Sequence, residues 1–215
     1  MAILNSIIGI LFIFAVSYLL SNNKKHIKWR TIIIGFLIQF GFALIVLKWS
    51  VGRYVLSKAS LGVQGVISYA NEGIGFVFGS LTNDGSIFAV NVLCVIIFIS
   101  AVVSILYYLG IMQFIIRVIG GALSKLLGTS QLETISASAN IFLGQTEAPL
   151  LIKPYVAKLT ESELFTVMVG GLASVSGSIL VGYSLLGIPI EYLISASFMA
   201  APAGLIISKM LYPET

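Results

Sequence analysis

A glutamate, a glutamine and a threonine stand together in "NIFLGQTEAPLLIKPY", residues 140–155, between two apolar arms. Gln145 brings two donors and an acceptor, Thr146 a hydroxyl, and Glu147 a carboxylate that accepts. Such a set can read a flat heterocycle with several hydrogen-bonding edges. Turn chemistry at a loop tip is the other reading of Gln145 and Thr146. Glu147 is harder to explain away. Among the acidic residues, Glu72 and Asp84 fall in a glycine-rich segment and Glu133 follows Ser130 at capping-box spacing. Glu161 and Glu163 open a further helix, where acids suit the dipole, Glu191 follows "GIP", and Glu214 is near the end of the chain. An ionisable group at membrane depth costs at least about 2.5–3.5 kcal/mol, which makes Glu147 a site candidate. Capping of the arm that begins at Pro149 is its structural alternative.

That cost applies because the chain is a membrane protein by composition. Its 215 residues are 58% hydrophobic and 9% charged, and mean hydropathy is +1.06. Soluble chains carry about 25% charged residues. The net charge of +4 comes from basic residues between apolar runs, not from a patch, so nucleic acid is not a partner. Cys94 lies alone in an apolar run as a small packed hydrophobe, and no disulfide can form within the chain. His26 sits in the basic link "SNNKKHIKWR" as a solvated loop residue. No nucleophile–base pair with an orienting third group is visible, so the chain is read as no enzyme and no catalytic residue is assigned.

The elements that must hold the tip follow from hydropathy. Ala2–Leu20 and Thr31–Trp49 are long enough to span, and the basic residues after the first mark a retained helix, not a cleaved leader. Residues 51–86 are read as a short external amphipathic helix followed by a loop ending in "TNDGS". Ile87–Leu109 is a third span, closing a scaffold-like region over 1–110. Residues 111–215 form a second region. An interfacial helix over 111–128 carries Arg117 and Lys125. Residues 129–158 give two arms too short to span, hence a re-entrant hairpin with "LGQTEAP" at its tip. Small residues in "LETISASANIF" permit close helix packing. Residues 163–186 are long enough to span but are interrupted by "GGLASVSGS", so a broken helix is expected. A last span over 191–211 contains Pro202.

The positive-inside rule places the N-terminus outside. Lys24, Lys25, Lys28, Arg30, Arg117, Lys125, Lys153, Lys158 and Lys209 then face the cytoplasm, against Lys48, Arg53 and Lys58 outside. The side chain of Asn140 could ligate a hard cation or bond across helices. Ser174 and Ser176, taken singly, suit a small-residue interface. A broken hairpin followed by a broken helix is nevertheless the layout of a secondary-transporter half-site, with unwound carbonyls holding a coupling ion.

At this point "ANIFLGQTEAPLLIKPYVAKLTESELFTVMVGGLASVSGSILVGY" closely resembles the concentrative nucleoside transporter family, with "GQTEAP" its most specific mark. "SILYYLGIMQFIIRVIGGALSKLLGTS" and "IEYLISASFMAAPAGL" resemble the family's bacterial members, so essentially the whole chain is covered. The resemblance implies an all-α integral membrane protein of the bacterial inner membrane, the first half of an inverted-repeat transporter. It implies a homotrimer in the lipid bilayer that takes up nucleosides by symport. It assigns Gln145, Thr146 and Glu147 to the nucleobase, with Ile179 an apolar contact. Asn140 and Ser174 match side-chain ligands of Na+, and Leu143 and Val175 match its backbone-carbonyl ligands. Sodium is favoured over H+ because Asn140, Thr146 and Ser174 are all present. The family's second repeat, which supplies the ribose contacts, has no counterpart here. It is expected in a longer version of this chain or as a separate chain. A non-transporting membrane assembly or regulatory subunit, and proton-coupled transport, are the alternative functions.

Overall fold

The computed structural model describes residues 2–79 and 87–215. The described residues form helices joined by short turns, with no strand among them. Helix α1 spans Ala2–Leu19, α2 Trp29–Leu47, and α3 Ser50–Phe78. A π-helical turn, Ala89–Leu93, leads into α4, Cys94–Tyr108. Helix α5, Ile111–Leu127, lies between two left-handed glycines, Gly110 and Gly128. Next come α6, Gln131–Ala139, and a 3-10 helix, Ala148–Lys158. The chain closes with α7, Glu161–Ala173, α8, Gly177–Leu185, and α9, Ile190–Leu211. Four stretches are long and apolar enough to cross a membrane: Trp29–Val46, Ala89–Tyr108, Glu161–Leu185 and Ile190–Leu211. The described apolar stretch of α1, Leu4–Leu19, is shorter.

One expectation is corrected. Over residues 51–78 the chain does not fold as a short helix and a loop, because α3 runs unbroken for 29 residues from Ser50 to Phe78. Glycines at an interior helical position cost about 1 kcal/mol each, which pointed to a loop. Tertiary packing overrides that cost. Ser60, Ile67, Ala70 and Ile74 fall on one helical stripe and are buried. The three apolar ones join Val95, Ile99 and Val181 in a core shared with α4 and α8. Gly62, Gly65, Gly73 and Gly75 face open space, so none is needed for a close approach. The expected turn "TNDGS" lies outside the described residues.

Two further cores hold the hairpin. Leu123 and Leu127 of α5, Ala137 and Ile141 of the hairpin, and Ala201 and Leu205 of α9 pack together. Met112 and Ile116 of α5 meet Ala139, Leu143 and Ala148. On α5 the buried residues Met112, Ile116, Gly120, Leu123 and Leu127 recur at helical spacing. A Cβ at Gly120 would lie 3.0 Å from the Ile135 Cα, so only glycine permits this approach of α5 to α6.

Candidate functional site

The first arm of the hairpin starts where the sequence says it should. Ser130 Oγ accepts from the Leu132 N–H at 3.3 Å, and Glu133 Oε1 accepts the Ser130 N–H at 2.7 Å. Helix α6 then ends at Ala139, and residues 140–147 form successive turns without regular helix. The second arm is a 3-10 helix of 11 residues, carrying Pro149 in its first turn and Pro154 inside. At about 2.0 Å per residue it extends roughly 22 Å, and α6 at about 1.5 Å per residue only roughly 14 Å. Neither arm reaches the roughly 30 Å of a bilayer core.

Helix α7 and helix α8 are the two halves of a broken helix. Three residues, 174–176, separate them, and Ser174 (φ −119°, ψ 162°) and Ser176 (φ −63°, ψ 149°) are extended. This break interlocks with the hairpin turn. The Gly177 N–H donates to the Phe142 carbonyl at 3.0 Å, and a Cβ at Gly177 would lie 3.0 Å from that same oxygen. A Cβ at Gly171 would lie 3.3 Å from the Gln145 Cβ, and one at Gly170 3.3 Å from Asn140 Nδ2. Helix α9 supports the turn from behind. Ser197 Oγ donates to the Ile141 carbonyl at 2.9 Å, and the Phe198 ring meets Phe142 edge-on at 5.9 Å.

Gln145, Thr146, Glu147 and Ile179 line one cavity of about 670 Å³, together with Leu143, Ser174 and Val175. Ser100, Ser104 and Tyr107 of α4 and Tyr183 of α8 complete its wall. Gln145, Thr146 and Glu147 are exposed to this space. Glu147 carries the one formal charge among the described lining residues. It does not cap the second arm, since no side-chain cap bond forms there; instead Oε2 accepts the Gly144 N–H at 3.4 Å.

Asn140 lies behind this wall, 1% exposed, and neither Oδ1 nor Nδ2 has a partner. Ser174 Oγ gives its proton to the Gly170 carbonyl at 2.8 Å, so its lone pairs are left to accept. The Leu143 and Val175 carbonyls take no backbone hydrogen bond among the described residues. An orphaned buried amide such as that of Asn140 is costly, and amide, hydroxyl and carbonyl oxygens are donors of the type a hard cation takes. By chemical type these oxygens suit a small cation, and no group of three or more His, Cys, Asp or Glu offers a different metal site among the described residues.

Sequence reasoning set Glu133 aside as a helix start. The structure gives it a second role. Its Oε2 lies 2.6 Å from Lys209 Nζ near the end of α9, and Glu133 is 1% exposed. Lys209 also donates to Ser162 Oγ at 2.9 Å and Glu214 Oε2 at 3.1 Å. The signal was Lys209 itself, the one cation of α9, in its last turn.

Known proteins resemble this chain over its whole length. Residues 8–81 match the family model described as "Na+ dependent nucleoside transporter N-terminus", and residues 89–189 match one described as "Nucleoside recognition". An uncharacterised transporter of Haemophilus influenzae is 52% identical over all of this chain and 52% of its own length. The nucleoside permease NupC of Helicobacter pylori is 47% identical over 97% of this chain and 52% of its own. Human solute carrier family 28 member 3 is 39% identical over 96% of this chain and 30% of its own. The solved structure of CNTnw in an inward-facing substrate-bound state superposes with a TM-score of 0.96 at 50% identity, over 100% of this chain and 54% of that one. The chain thus spans about half the length of the bacterial relatives it matches.

Proposed function

Because this chain belongs to the concentrative nucleoside transporter family and matches its N-terminal half, we propose that it carries the nucleobase- and sodium-binding half of a sodium-coupled nucleoside uptake system. The observation that carries the proposal is the interlock of hairpin turn and helix break. It puts a carboxylate, an amide and a hydroxyl on one cavity wall, beside Leu143, Ser174 and Val175, with the unpaired side chain of Asn140 buried behind it. Glu147 and Gln145 hydrogen-bond the base edge, Thr146 adds a donor and acceptor, and Ile179 packs on the ring face. Sodium is held by the side chains of Asn140 and Ser174 and the carbonyls of Leu143 and Val175. Because Leu143 and Gln145 belong to one turn, holding the ion orders the residues that meet the base. That ordering couples the two ligands.

In this reading the hairpin enters the inner membrane from the cytoplasmic side and the N-terminus lies outside. The remaining contacts to the ribose come from the second half of the carrier, and protomers assemble as a trimer. A proteoliposome assay on a carrier containing this chain in full tests the coupling ion. Replacing external sodium by choline at fixed pH should remove concentrative uptake of uridine and adenosine. Uptake indifferent to sodium but driven by a pH gradient would establish proton coupling in its place.

A further inference from the structure

The proposed cation site is divided between two helices. Asn140 ends α6 and Ser174 ends α7, so the axial register of these helices sets the distance between the ligands. Two turns below, a third helix ties them together. Lys209 of α9 reaches Glu133 Oε2 of α6 at 2.6 Å and Ser162 Oγ of α7 at 2.9 Å. Lys209 Nζ also donates to Glu214 Oε2 at 3.1 Å.

The geometry connects this clamp to the site along two facing stripes. On α6, Glu133, Ser136 and Asn140 recur at helical spacing and none is more than 1% exposed. On α7, Ser162, Thr166 and Gly170 recur likewise, with Ser162 4% and Thr166 1% exposed. The stripes meet at the top, where Gly170 abuts Asn140, and at the bottom, where Lys209 joins Glu133 to Ser162. At about 1.5 Å per residue, the clamp lies roughly 10 Å below Asn140 and roughly 12 Å below Gly170. The two helices are thus pinned at matching heights, and helical backbone runs from the clamp to Ala139 and Ala173, the residues just before Asn140 and Ser174.

We propose that Lys209 is a positioning residue for the coupling cation, acting with Glu133 and Ser162 to fix the register of Asn140 against Ser174. The inference rests on the reading of those two residues as cation ligands. Buried ion pairs are weak stabilisers, and fixing register is their best-attested use. Groups that orient metal ligands without touching the metal typically change affinity by about 10- to 100-fold when removed.

The test measures the half-saturating sodium concentration for nucleoside uptake, using proteoliposomes of a carrier that contains this chain in full. The Michaelis constant for the nucleoside is taken at saturating sodium. Lys209→Met should raise half-saturating sodium about 10-fold or more. Ser162→Ala, which removes the Lys209 leg and the Ser162 Oγ bond to the Tyr212 carbonyl but keeps the charge pair, should raise it about fivefold. In both, the nucleoside constant at saturating sodium should stay at the wild-type value. Ser162→Ala decides the matter if Lys209→Met does not fold. Sodium-dependent wild-type uptake with an unmoved sodium constant in Ser162→Ala overturns the clamp alone, as does a nucleoside constant that moves as far as the sodium constant. Wild-type uptake that ignores sodium overturns the cation site, and the clamp with it.

Discussion

Gly177→Ala tests the interlock on which the site depends. The added Cβ would sit 3.0 Å from the Phe142 carbonyl oxygen, so the two backbones must separate by a few tenths of an ångström. That oxygen already accepts the Gly177 N–H at 3.0 Å, so separation also weakens a buried bond. Phe142 cannot yield freely, because its ring packs on Phe198 and the preceding carbonyl is held by Ser197. Overpacking of this kind costs about 1–3 kcal/mol, and the hydrogen bond contributes about 1 kcal/mol. Alanine regains up to about 1 kcal/mol of backbone entropy. The net expectation is a loss of about 1–3 kcal/mol. For a chain of this size, about 2–4 °C per kcal/mol gives a melting temperature lower by roughly 2–12 °C. Gly41→Ala is the matched control. Gly41 lies inside α2 with nothing within 4 Å of an added Cβ, so that variant should melt at or slightly above the wild-type temperature. Melting scans of both variants in detergent, with and without sodium, read the difference. If Gly177→Ala melts like Gly41→Ala, the break and the turn are not packed as described, and the reasoning fails.

The Glu133–Lys209 pair should behave as a unit in a melting cycle. Lys209→Met leaves a carboxylate buried without its partner, which costs about 3–5 kcal/mol, while the Glu133→Gln/Lys209→Met double variant should recover much of that loss. Strict additivity of the two single effects would refute the pairing. Glu214 gives a pH signature. Burial works to raise its carboxyl, but hydrogen bonds from Thr160, Lys209 and Ser162, with the lysine charge, outweigh it and hold it below the usual carboxylate range. A folded value below the unfolded one contributes stability that is present at neutral pH and lost as pH falls through the folded value. Glu214→Gln should therefore lower stability at neutral pH slightly, by less than about 1 kcal/mol for a half-buried, solvent-screened group, with a correspondingly small drop in melting temperature that should vanish in acid. A difference that grows on acidification would contradict the assignment.

How much of this was legible follows from what each signal is made of. The hairpin was readable because a polar tip with Gly144 and Pro149 cannot sit inside a spanning helix. The broken helix was readable because "GGLASVSGS" has no propensity to continue one. The continuity of α3 was not, since its glycines argue locally for a loop while the opposing term is long-range packing on α4 and α8. The 3-10 form of the second arm was also hidden; two prolines mark an irregular helix without specifying its rise. Glu133 shows the sharper difficulty. Its capping-box spacing was a sufficient local explanation, and it was correct as far as it went. The partner that gives it a second role is 76 positions away in sequence, and only the packing of α6 against α9 brings Lys209 to it.

Uptake by a Glu147→Gln variant addresses the central claim most directly. The substitution keeps the shape of the side chain and removes its charge, at an exposed position on the cavity wall where no capping bond depends on it. A carrier containing this chain in full, in proteoliposomes under an inward sodium gradient, should concentrate uridine or adenosine. The same carrier with Glu147→Gln should not concentrate either, at an unchanged melting temperature. Concentrative uptake by the variant at the wild-type rate would contradict the account, because the carboxylate at the hairpin tip would then have no part in holding the nucleoside.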